Sequence, residues 1–153
     1  MTTALNDDYR DVLATLVRAG AEFLVGGAHA LAAHGLPRAT GDIDILVRPT
    51  PANAERVMRA LVDFGARVEA HGVETTDFQI EGMVYQIGVA PQRIDLLTAI
   101  TGVSFDEAWS SRVPVKVDGV SFHVLGRDAL IRNQRAAGRA KDVVDADALE
   151  NAK

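Results

Sequence analysis

Cysteine is absent from the chain. That excludes disulfides and thiolate metal ligands, and it suits a reducing cytoplasm. Aromatic residues make up only 5 % of the sequence, so Val, Leu, Ile and Ala must fill the core. No apolar run approaches the ~20 residues that span a bilayer. The opening MTTALNDDYRD lacks the basic start and apolar stretch of a signal peptide. Repeats and low-complexity linkers are missing too. An excess of positive charge is also lacking. The net charge of −5 excludes a protein that coats nucleic acid non-specifically. The local run Arg127, Arg132, Arg135, Arg139 and Lys141 still fits either a solvated helix face or a site for an RNA end.

The 153 residues, 48 % hydrophobic and 24 % charged, are a globular composition. They predict one domain over 1–153, long enough to bury a core. Helical spacing of Tyr9, Val12, Leu13, Leu16 and Val17 predicts a helix over Asp8–Ala19, capped by Asn6 or Asp7 and ended by Gly20. Phe23–Val25 reads as a strand running into Gly26-Gly27, and Ala28–His34 as a short helix. Ile43–Val47 is a second strand. Thr50 caps a helix over Pro51–Asp63, with Pro51 in its first position.

The middle of the chain predicts strands at Arg67–Glu69, Phe78–Ile80, Val84–Val89 and Ile94–Leu97, with turns at Glu81-Gly82 and Ala90-Pro91. Phe105–Ser110 fits a short helix. Val113–Val117 and Val120–Val124 flank Asp118-Gly119, a two-residue hairpin signal. Helices over Arg127–Ala137 and Lys141–Glu150 close the chain. Without a strict βαβ rhythm, these elements predict an α+β or mixed α/β fold: a mixed sheet covered by helices on one face.

The chemistry starts at Gly41-Asp42-Ile43-Asp44-Ile45. A strand alternates its side chains, so Ile43, Ile45 and Val47 share one face and Asp42 and Asp44 the other, with Cα atoms roughly 7 Å apart. Acids this close repel unless a cation joins them. Mg²⁺ favours carboxylate oxygen and phosphate. Asp95 lies in another β-like run, Arg93-Ile94-Asp95-Leu96-Leu97. If that strand neighbours the first, three carboxylates converge. Such a set can hold two metals about 3.5–4 Å apart, flanking an in-line phosphoryl displacement. Upstream, Gly26-Gly27-Ala28 joins a strand to a helix, where glycine lets a phosphate come close.

Taken singly, each feature has a plain reading. The glycines fit a turn, the acid pair fits a solvated strand face, and Asp95 fits a structural pair with Arg93. His29, His34, His71 and His123 show no metal spacing, and His29 reads as a packing residue. Asp145 and Asp147 read as surface residues. Dehalogenase-type phosphatases continue their Asp-x-Asp motif into Gly-Thr, where Ile45-Leu46 stands here. No Ser-His-Asp order and no P-loop lysine pattern is present.

Taken together, Gly26-Gly27-Ala28, Asp42-x-Asp44 and the later Asp95 resemble the signature of the DNA-polymerase-beta-like nucleotidyltransferases. PRATGDIDILVRPTPANAERVMRAL resembles the small bacterial group related to AbiEii-type toxins. LIRNQRAAGRAKDVVDADAL is similar to that group's closing helix pair. The resemblance spans roughly Glu22 to Leu149.

The resemblance implies a nucleotidyltransferase fold with a C-terminal helix pair. It implies transfer of a nucleoside monophosphate from an NTP, ATP included, to an RNA 3′ end (tRNA above all) or a protein hydroxyl. A toxin–antitoxin setting, with an antitoxin partner, is implied as well. Asp42, Asp44 and Asp95 would be catalytic and would bind Mg²⁺, as two ions, or Mn²⁺. Gly26, Gly27 and Ala28 would hold the triphosphate. By position alone, just before the strand of Asp42, Arg38 and Thr40 are candidates to touch phosphate. Arg139, Lys141 and Asp142 would line the cleft. In the penultimate helix Gln134 stands where the family has Lys. That exchange motivates the alternative of a catalytically silent nucleotide- or RNA-binding module.

Overall fold

A computed structural model of the chain describes residues 5–89 and 92–152. Helix α1 (Asp7–Arg18) starts where the Asn6 side chain accepts a hydrogen bond from the Tyr9 N–H. It leads through β1 (Phe23–Val25) into α2 (Gly27–Ala33) and β2 (Asp42–Val47). Helix α3 (Pro51–Phe64) has Thr50 as its cap, Pro51 in the first turn and Gly65 in the left-handed conformation at its end. These are the stop and start signals expected of such residues.

Strands β3 (Val84–Ile87) and β4 (Arg93–Leu97), helix α4 (Phe105–Ser110), the hairpin β5 (Val113–Val117) and β6 (Val120–Val124), and helices α5 (Arg127–Ala137) and α6 (Ala140–Asn151) complete the order. The hairpin turns on Asp118 and Gly119, both at positive φ, as a primed two-residue turn requires.

The strands form one mixed sheet in the order β3-β4-β2-β1-β6-β5. β2 runs parallel to β4 and β1 parallel to β6, and the other neighbours are antiparallel. The α+β class and the C-terminal helix pair are therefore as the sequence predicts. Ile43, Ile45 and Val47 are buried with Val12, Leu13 and Leu16 of α1 and Val57 and Leu61 of α3 in a common core. Asp42, Asp44 and Leu46 point to the other face, where α2, α5 and α6 border a cleft. Helices thus border both faces, not one. Periodicity shows that a helix has an apolar stripe but not which side of a sheet it covers. Among the described residues no helix is long and apolar enough to cross a membrane.

Three predicted strands differ. Arg67–Glu69 forms turns: Val68 alone is buried, while Arg67 and Glu69 are exposed. A single apolar residue between two polar ones mimics strand alternation, yet the hydrogen bonds stay local, from His71 N to Arg67 O and from Val73 N to Val68 O. Phe78 lies in a 3₁₀ helix, Thr75–Gln79, closed by a reciprocal capping box between Glu74 and Asp77. Side-chain capping outcompeted ladder pairing there. β3 stops at Ile87 rather than Val89, because Gly88 takes a positive φ. The predicted turn at Ala90-Pro91 lies outside the described residues.

Candidate active site

Parallel pairing of β2 with β4 sets Asp44 directly opposite Asp95 and Asp42 opposite Arg93. Each of the three acids contributes a carboxylate oxygen, and these oxygens lie within 4.8 Å of one another. The sequence brings them together because the acids alternate with Ile43, Ile45 and Ile94, which the core claims.

Arg93 supplies the nearest positive charge. Its Nη2 donates to Asp42 Oδ2 at 2.6 Å and to Asp95 Oδ2 at 3.2 Å, and its Nε donates to Asp95 Oδ1 at 3.0 Å. The structural pairing of Asp95 with Arg93 and the clustering of the acids therefore coexist. The Thr40 hydroxyl donates to the Asp42 carboxylate at 3.0 Å and accepts from the Asp42 N–H at 3.2 Å.

No hydrogen bond from Arg93 reaches the Asp44 carboxylate. Burial, and then repulsion from Asp42 and Asp95, push its pKa up to about 6, against the pull of Arg93 and Lys141. Burial lowers the pKa of His29 and keeps the ring neutral. His29 packs edge-on against Tyr9, so its packing role stands, although its buried Nε2 has no partner among the described residues.

The glycine step meets the acids from the next strand. The Gly26 N–H donates to the Asp44 carbonyl at 3.0 Å. Gly27 opens α2 at φ +59°, and a Cβ built on it would fall 2.6 Å from Asp44 Oδ2. Only glycine gives that backbone this approach.

These groups open onto a cleft of about 580 Å³. Gly26, Gly27, Ala28, Arg38, Thr40, Asp42, Asp44, Arg139, Lys141 and Asp142, all named from sequence, line it. Asp95 does not: it is 6 % exposed, beneath the Arg93 fork. Leu31, Leu46, Leu97, Ile100 and Leu125 give the cleft an apolar stretch, beside which Asn133 and Asp145 are polar. Gln134 also lines the cleft, buried, with its Oε1 unpartnered among the described residues.

Asp145 corrects an expectation. It is 7 % exposed and accepts from Arg38 Nε at 2.9 Å, tying the segment before β2 to α6. Spacing offered a signal, since Asp142 and Asp145 share a helix face at i, i+3, but only packing could show that the face is buried. Asp147 is exposed as expected.

The basic run is largely neutralised at home. Arg127 pairs with Asp128, Arg132 with Glu107, Arg135 with Asp147 and Glu150, and Arg139 with Asp142. Lys141 is exposed and makes no ion pair among the described residues. The solvated-face reading of this run is the one its contacts favour.

The donor set suits a divalent cation. Three carboxylates converge, burial and the charge of its neighbours disfavour the ionised form of one of them, and glycine leaves that oxygen uncrowded.

Residues 11–129 match the model of a family described as "Nucleotidyl transferase AbiEii toxin, Type IV TA system". The matched span carries the glycine step and all three acids, and it stops within α5. No curated protein matches the chain.

Proposed function

The chain belongs to the AbiEii family of nucleotidyl transferase toxins, and from that premise we propose that Asp42, Asp44 and Asp95 form a Mg²⁺-dependent catalytic centre. It moves a nucleoside monophosphate from an NTP to the 3′ end of an RNA, tRNA foremost, or to a protein hydroxyl. The acceptor oxygen bonds to the α-phosphorus as the bond to the β-phosphate bridge oxygen breaks, and pyrophosphate leaves. The observation that carries this reading is the convergence of three carboxylates, with oxygens within 4.8 Å of one another, beside a glycine whose missing Cβ would fall on one of them.

Asp42 and Asp44 would hold Mg²⁺, as two ions, or Mn²⁺, with Asp95 completing the set. Bound there, the metal would stabilise charge on the attacking and leaving oxygens. The protein's own share is positioning and electrostatics. Gly26, Gly27 and Ala28 leave room for phosphate at the mouth of β1. Lys141, exposed and without an ion pair among the described residues, supplies positive charge to the triphosphate. Arg38 and Arg139 are each held by a carboxylate; they fix the cleft wall rather than reach freely for phosphate. Thr40 orients Asp42. Asp95 helps take the proton of the acceptor hydroxyl once its carboxylate is free. The apolar wall around Leu46, Leu97 and Leu125 receives the base.

With most of the C-terminal arginines already paired, an acceptor end entering the cleft fits better than a broad RNA footprint. The chain acts as one domain in the cytoplasm, in a Type IV toxin–antitoxin pair with a separately encoded antitoxin. The test is incubation with each labelled NTP, Mg²⁺ and either total RNA or total protein. Label on an RNA or protein band, lost in Asp44→Asn, supports transfer. Nucleotide binding with no label anywhere would instead make the chain a catalytically silent module.

A further inference from the structure

Arg93 lies across the triad of acids. Three of its hydrogen bonds end on Asp42 and Asp95, and they engage both oxygens of Asp95. The guanidinium thus holds the positions from which two of the three acids would offer oxygens to a metal. Asp44 alone is left unbridged, and Asp95 is the acid that does not open onto the cleft.

A guanidinium and a divalent cation compete for the same carboxylate oxygens, because both are positive and repel at close range and each hydrogen bond draws on a lone pair that a metal would use. The Arg93 side chain is about a third exposed (34 %), while that of Asp95 is only 9 % exposed. The arginine has solvent to move into and the acid does not.

From this geometry we infer that Arg93 is a positioning residue that competes with the divalent cation for Asp42 and Asp95, so that metal entry requires the fork to swing off the triad. The inference rests on the proposed metal role of the triad. In the metal-free protein Arg93 offsets the mutual repulsion of the acids and keeps β2 and β4 in register. As the cation enters, it takes over that neutralising role, and the released guanidinium stays at the edge of the site. The wild-type metal affinity is therefore set below what three free carboxylates would give.

The experiment is Mn²⁺ binding followed by electron paramagnetic resonance on wild type, Arg93→Gln and Arg93→Lys, without nucleotide and at fixed ionic strength. Thermal melts with and without Mn²⁺ accompany it. Arg93→Gln should bind Mn²⁺ about ten-fold tighter or more, the equivalent of one charge-assisted hydrogen bond no longer displaced. Its metal-free melting temperature should fall, and its gain on adding Mn²⁺ should exceed that of wild type. Arg93→Lys keeps the charge without the fork and should fall between the two; it also reports if the glutamine variant needs metal to fold. Equal or weaker Mn²⁺ binding by both folded variants, beside measurable binding by wild type, would overturn the competition while leaving the metal reading intact. No Mn²⁺ binding by any of the three proteins would overturn the metal reading and the competition together.

Discussion

Gly27 and Asp44 share one small volume: the Cβ that Gly27 lacks would lie 2.6 Å from Asp44 Oδ2, and the glycine sits at φ +59°. A side chain there meets two penalties. The left-handed backbone costs an L-residue roughly 1–2 kcal/mol, and the carboxylate must turn away from its position. Gly27→Ala should therefore lower stability by about that amount and sharply weaken Mn²⁺ and NTP binding. Gly65→Ala is the control, since at φ +97° it meets the same backbone penalty while its Cβ would meet nothing within 4 Å, and it does not line the cleft. Calorimetry with a non-hydrolysable NTP measures both. Equal affinity in Gly27→Ala and wild type would reduce the glycine step to a turn.

The raised pKa of Asp44 carries a pH dependence. Below about pH 3 the carboxyl is protonated in folded and unfolded chains alike and contributes almost no penalty. As pH climbs toward 6, the unfolded chain ionises while the folded one, with its pKa at about 6, still holds the proton. Stability falls through that window. Above it the full penalty is present, on the order of 2–3 kcal/mol for about two pKa units. Urea unfolding in EDTA should show Asp44→Asn gaining on wild type by that amount between pH 4 and pH 7. Adding Mg²⁺ at pH 7 should close the gap by stabilising wild type alone. A pH-independent difference would mean that Asp44 is not raised.

The three acids should separate in their structural cost although each is required for transfer. Asp44→Asn removes repulsion, so metal-free stability should hold or rise. Asp95→Asn disrupts a buried fork with Arg93 and should cost about 1–3 kcal/mol. Asp42→Asn weakens a more exposed pair and should cost at most about 1 kcal/mol. Thermal melts of the three variants in EDTA give the order. Asp44→Asn melting far below the other two would make that acid structural.

Arg38 and Asp145 offer a long-range test. Arg38→Ala leaves the Asp145 carboxylate buried without its Nε partner, which should cost about 1–3 kcal/mol and loosen the segment that carries Thr40. Asp145→Asn in the same background should then add little. Full additivity in the double-mutant cycle would show that the pair contributes no coupling.

Gln134 lines the cleft with an unpartnered Oε1. Gln134→Lys should bring a charge to the triphosphate and tighten NTP binding about ten-fold, less so at high salt. Because the side chain is buried, the apo variant should also melt lower and recover on adding NTP. Unchanged affinity would mean that position 134 does not face phosphate.

Much of this protein was legible in its sequence because local rules governed it. Asn6, Thr50, Gly65 and Asp118-Gly119 set helix and hairpin boundaries through hydrogen bonds and dihedrals available within a few residues. Alternation placed Asp42 and Asp44 on one face, because Ile43 and Ile45 had to be buried. Those local rules failed at Arg67–Glu69 and Phe78–Ile80, where a lone apolar residue or a short capping box imitates or defeats a strand. What only the tertiary structure decided is everything that depends on which strands and helices meet. Parallel pairing of β2 with β4 brought Asp95 opposite Asp44 and laid Arg93 across the triad. The seating of α6 turned Asp145 from a surface acid into the partner of Arg38 and joined Gln134 and Lys141 to the same cleft. Residue spacing fixes the direction of a side chain from its own backbone, whereas its neighbours across a sheet or cleft are fixed by packing between segments far apart in the chain.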